Sequence, residues 1–128
     1  MDALMSSKRQ DIERLQRLKS ITDAGHQAAQ AKLAEKARAE ARIQGELNAL
    51  DAARTEVLNA MSLSGDCAPA QITCHGVWLV WAERQRAGLN MALAAARARA
   101  AQEKDAARLT FGRDQVAQKL LAMRQAKK

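Results

Sequence analysis

Cys67, Cys74 and His75 form the densest group of potentially reactive side chains in this chain. A structural zinc site needs four ligands, with paired cysteines two to four residues apart. Here the cysteines stand in a C-x6-C arrangement, the adjacent Cys74 and His75 side chains diverge, and the other histidine, His26, is far away in sequence. No metal site is expected. Two cysteines are also too few for a disulfide scaffold, although one bridge at a turn would staple it; free thiols are the default in a reducing compartment. Two histidines give no nucleophile–base pairing. Carboxylates such as Glu35, Glu40 and Glu46 have basic neighbours at helical distances, among them Lys32–Glu35 and Glu35–Arg38. These are surface pairs worth about 0.2–0.5 kcal/mol each. The six glycines are scattered and build no phosphate loop. The chain therefore reads as a non-enzyme without catalytic residues or cofactor.

The elements around this group explain the lack of chemistry. Of the 128 residues, 48% are apolar, but alanine supplies roughly half of these, and there are only two Trp, one Phe and no Tyr. Alanine favours helix yet buries little surface, so the composition points to long helices instead of a thick core. Pro69 is the only proline and lies in a turn-forming stretch beginning at Ser62. It cannot sit inside a continuous helix but suits the first turn of one, with Asp66 nearby as a possible cap. The expected fold is all-α, a long antiparallel two-helix coiled-coil hairpin in a single domain, 1–128. Helix one spans about 7–62, the turn about 63–76 and helix two about 77–124. Ser7 and Gln10 fit a capping box at the start of helix one. One long helix per chain that dimerises is the alternative topology, disfavoured by Pro69; a hairpin that itself dimerises stays open.

Heptad spacing sets the expected seam. On helix one, stepping from Leu33 through 36, 40, 43, 47, 50, 54 and 57 to Met61 alternates threes and fours, and Ile12, Leu15 and Leu18 extend the apolar face upstream. On helix two the chosen stripe is Trp78, Trp81, 85, 88, 92, 95, 99, 102, 106, Leu109, 113, Val116, Leu120 and Met123. Antiparallel pairing then sets the tryptophans against Val57, Leu58 and Met61, and Leu109, Val116 and Leu120 against Leu15 and Leu18. Val77 and Val80 flank the tryptophans, and one seam cannot cover all four. Trp78 and Trp81 are thus core residues or, alternatively, part of a docking patch.

Residues 1–62 hold ten Lys and Arg against nine Asp and Glu, and residues 63–128 eleven against five, so the second arm carries nearly all of the net +7. Such an arm favours acidic protein, nucleic acid or anionic lipid, or serves to keep an alanine-rich helix solvated. Its cations spread around the helix without stacking aromatics, so no specific nucleic-acid site is expected. Met1–Gln10 lacks a signal-peptide core, and the longest apolar run, Val77–Ala82, falls far short of the ~20 residues that cross a bilayer. A cytoplasmic protein is expected.

Leu15, Leu18 and Ile21 lead into Ala/Glu/Arg heptads ending at Glu46, Leu47 and Leu50. After the break come Trp78-Leu-Val-Trp81, then Gln85 and Leu89, and a basic arm closing on Gln118–Leu121. Over almost the whole chain this pattern resembles the FliJ/YscO group, the coiled-coil hairpins of flagellar and injectisome type III export. The resemblance implies a stalk, akin to that of rotary ATPases, whose paired terminal ends enter a hexameric export ATPase and promote its assembly and activity. Its flank would contact the membrane export gate or escort chaperones, placing it in the cytoplasm, peripheral to the inner-membrane export apparatus. Carried onto this chain, Leu15, Leu18, Val116 and Leu120 would hold the terminal end together, while Arg14, Arg17, Lys119 and Arg124 point outward to the ATPase. A generic adaptor or chaperone coiled coil competes with this reading, as does a basic hairpin that binds nucleic acid nonspecifically.

Overall fold

The computed structural model describes residues 2–63 and 68–127, and consists of two helices, α1 (Asp2–Leu63) and α2 (Pro69–Ala126), packed antiparallel as a hairpin. Helix α1 begins at Asp2, ahead of the Ser7 capping box, with Asp2 itself as the acidic residue of the first turn. Pro69 is the first residue of α2, where its missing N–H costs nothing. The Ala68 carbonyl accepts the opening bonds from the Gln71 and Ile72 amides at 2.9 and 3.2 Å. Gly76 does not delay the helix, which runs through it. Asp66, the expected cap, lies outside the described residues.

The chain divides into a terminal unit, Met1–Lys36 with Ala100–Lys128, and a turn-side unit, Ala37–Arg99. In the turn-side unit the inward positions of α1 are Glu40, Ile43, Leu47, Leu50, Arg54, Val57 and Met61, as the heptad spacing predicts. Leu47 is 4% exposed, and on α2 Ala82, Leu93 and Ala96 are buried in the same unit. Cross-helix ion pairs border this core: Arg54–Glu83 at 3.2 Å, Arg86–Asp51 at 3.4 Å and Arg97–Glu40 at 3.1 Å. Each is partly exposed and worth about 0.2–1 kcal/mol, so they fix pairing more than they stabilise it.

The register of α2 departs from expectation by one residue. The inward positions are Leu79, Ala82, Arg86, Leu89, Leu93 and Ala96 in the turn-side unit, and Ala100, Glu103, Ala107, Thr110, Asp114, Ala117, Leu121 and Arg124 in the terminal unit. One residue is about 100° of helix rotation. Trp81, Leu109, Val116, Leu120 and Met123 are consequently exposed, and Leu58 and Leu18 on α1 are exposed too. The expectation put the bulkiest stripe inside. The helices instead bury alanines, which permit close approach, together with polar groups that satisfy one another.

Gly45 and Gly88 are helical, and a Cβ added at either meets no atom within 4 Å. Since glycine costs roughly 0.5–1 kcal/mol relative to alanine in a helix interior, Gly45→Ala and Gly88→Ala should each raise stability by about that amount. Urea melts of the two variants and their combination test this, with near-additive gains expected.

Candidate functional site

In the terminal unit the seam turns polar where a conventional coiled coil would place leucine. Lys19, Thr22 and His26 are successive inward positions of α1, and Asp114 and Thr110 answer them from α2. The Lys19 ammonium donates to both Asp114 carboxylate oxygens at 2.9 and 3.0 Å and to Asp23 Oδ1 at 2.6 Å. The Thr22 hydroxyl lies 2.8 Å from Asp114 Oδ1 and 3.0 Å from the Lys19 carbonyl. Asp114 is the one buried charged residue among those described, at 9% exposure. Lys19, then Thr22, hold its carboxyl below the ordinary aspartate range, while Asp23, then Asp114, hold Lys19 above the ordinary lysine range. One turn along, His26 Nδ1 is 3.4 Å from Thr110 Oγ1, and its ring lies 5.3 Å from Phe111. The carboxylate is paired with an ammonium and accepts from Thr22 as well, so this cluster fixes which residues face each other.

Several bulky apolar residues of the terminal unit lie outside its seam. Leu4 and Leu18 on α1, and Leu109, Val116 and Met123 on α2, recur at multiples of seven; Ile21 and Leu120 lie beside them. All seven are exposed. Of these, Leu18, Leu109 and Val116 border a groove of about 590 Å³ between the helices, which Gly112, Arg108 and Arg113 also line. Two smaller depressions lie in the same unit, one bordered by Leu15, Leu120 and Met123 and the other, which shares Thr22 and Arg113 with the groove, by Ile21 and Gly25.

The expected site residues separate into distinct environments. Arg14 and Lys119 are exposed, and Arg17, also exposed, stands 4.0 Å from Glu13. Arg124 does not point outward: it occupies an inward position and donates to Asp11 at 2.7 Å. Leu18, Val116 and Leu120 do not clamp the ends together but border the groove, while Leu15 is half-buried. In the turn-side unit the Trp78 and Trp81 rings are 6.2 Å apart; Trp78 is half-buried and Trp81 is 50% exposed. Trp81 borders a second apolar depression, on α2, with Val77, Val80 and Arg84.

Cys74 is an exposed free thiol, and His75 is half-buried with no hydrogen-bond partner for Nδ1 among the described residues. Cys67, and with it the expectation about a bridge at the turn, lies outside the described residues. No cluster of three or more metal-ligating residues occurs among the described residues, nor is any described helix long and apolar enough to cross a membrane. Hydrophobic periodicity alone does not reveal the Lys19–Asp114 cluster. Its signal is visible in retrospect: the α1 heptad from Leu33 to Met61, continued backwards, lands on His26, Thr22 and Lys19. A comparison with known proteins finds no family model, no curated protein and no solved structure that matches this chain.

Proposed function

We propose that this hairpin is a non-enzymatic protein-docking element and, within that class, an export-apparatus stalk in the cytoplasm, peripheral to the inner membrane. There it would engage a hexameric type III export ATPase and the export gate and promote ATPase assembly and protein export. The observation that carries the docking reading is the coincidence of charge and apolar surface in one unit. The terminal unit contains fourteen Lys and Arg against eight Asp and Glu, a net +6 of the chain's +7, and bears the exposed Leu4, Leu18, Ile21, Leu109, Val116, Leu120 and Met123. A cationic, apolar protein surface suits an acidic ring lumen. Arg14, Arg17 and Lys119 are the cations available to meet it, while Arg124 contributes to pairing the two helices.

Incubating the purified chain with export ATPase tests the stalk directly. Increased hydrolysis and hexamer formation are expected, with both gains reduced in an Arg14→Glu, Arg17→Glu, Lys119→Glu variant. Absence of association and of stimulation sinks the stalk reading. An adaptor or chaperone role is favoured by a separate observation, the Val77, Val80 and Trp81 depression of the turn-side unit, which gives that unit an apolar surface of its own.

A further inference from the structure

We infer that the groove of the terminal unit is a docking site for an amphipathic helix whose apolar stripe is flanked by acidic residues. The inference rests on the groove and the charge around it, not on the export reading. Leu109, Arg113, Val116, Leu120 and Met123 follow one another at alternating spacings of four and three, which is the spacing of a coiled-coil seam. These residues occupy a stripe of α2 that α1 does not cover. Helix α2 therefore carries two heptad stripes about 100° apart and uses one within the hairpin. Across the groove stand Leu18 and Ile21 of α1, so a third helix would insert its side chains between both walls.

Two glycines shape this surface. Gly112 lines the groove and Gly25 the smaller depression that shares Thr22 and Arg113 with it, and a Cβ at either position would meet nothing within 4 Å. Glycine is a poor helix former, so the two leave room for an approaching side chain at a local cost in stability.

The charge selects the occupant. Arg113 lies within the stripe and Arg14 beside it on α1, and neither has an ion-pair or hydrogen-bond partner among the described residues. The unit around them is net +6. A second copy docked face to face would set these cations against their like, whereas glutamates flanking an incoming helix would neutralise them. A lipid surface would also meet the charge, but a membrane-bound helix presents a convex apolar face, and these residues line a concavity between two helices.

A fluorescent four-heptad peptide with leucine at its seam and glutamate on both flanks is the probe, with a lysine-flanked peptide as its counterpart. Fluorescence anisotropy with the full chain should show saturable binding of the glutamate peptide that weakens with salt, and much weaker binding of the lysine peptide. Val116→Asp changes a residue outside the hairpin seam, so helicity and melting should hold while affinity falls by about tenfold or more. Arg14→Glu with Arg113→Glu should reverse the preference between the peptides. Failure of the glutamate peptide to bind, or equal binding by a folded Val116→Asp variant, overturns the inference. Phosphatidylserine vesicle binding that Val116→Asp abolishes, without peptide binding, assigns the face to a membrane. A dimer in sedimentation that Val116→Asp dissociates assigns it to a second copy; either result overturns the helix. No ATPase enters these measurements, so their outcome is independent of stimulation.

Discussion

Leu47→Ala should cost about 2–3 kcal/mol, the lower part of the range for a buried leucine. Leu47 and Leu93 are the two side chains larger than alanine that are buried among the described apolar residues; the others are Ala29, Ala82, Ala96, Ala107 and Ala117. A two-helix interface has no second layer to collapse into the space left by Leu47, though water at its margins limits the penalty. Against a total stability of roughly 5–15 kcal/mol for a folded domain, this is a large fraction. The informative control is Leu109→Ala, the same chemical change at a residue that is 56% exposed, expected to alter stability by less than about 0.5 kcal/mol. Urea denaturation followed by far-ultraviolet circular dichroism compares the two. Equal losses would contradict the register of α2, because the stripe through Leu109 would then be inside.

That register marks the limit of what the sequence makes legible. Pro69, the alanine content and the α1 heptads require a hairpin, and the positions from Leu33 to Met61 face inward as their spacing demands. On α2 the same rule misleads, because it equates the bulkiest stripe with the buried one. Trp81, Val116 and Met123 outweigh Ala82, Ala117 and Arg124 in hydrophobicity, yet the latter three are the ones turned inward. What decides between the stripes is pairwise, and no single-helix pattern contains it. The buried Asp114 carboxylate needs partners, and in the observed register Lys19 and Thr22 on α1 supply them. The candidate groove has the same origin: apolar residues that the pattern assigned to the core became surface. The charge of the second arm was legible; its coincidence with that surface required the fold.

Disruption of the Lys19–Asp114 cluster should produce the other large effect, with an ordering that separates pairing from burial. Lys19→Met leaves the buried Asp114 carboxylate with Thr22 as its remaining partner, so it should be the most destabilising change. Asp114→Leu leaves Lys19 bonded to Asp23, with its ammonium near solvent, and should cost less. The double variant removes the buried carboxylate together with its counter-ion and should melt above the Lys19→Met variant. A double variant no more stable than Lys19→Met would show that the cluster is not a coupled pair. The pH dependence follows from the same contacts. Asp114 is held below its ordinary value of 3.8, so its contribution is present above that pH and is lost as pH falls through the lower folded value. Lys19 is held above its ordinary 10.5, so its contribution is present below that pH and is lost as pH rises through the higher folded value. Thermal melts of the native chain should therefore lose a component at each extreme, and the double variant should lack both. It should also lose something that the melts do not report. With methionine and leucine in place of the pair, the buried ion pair no longer penalises a slip of one heptad, and amide resonances of the terminal unit should multiply or broaden. A single sharp set would show that packing alone specifies the register and that the buried charges serve another purpose.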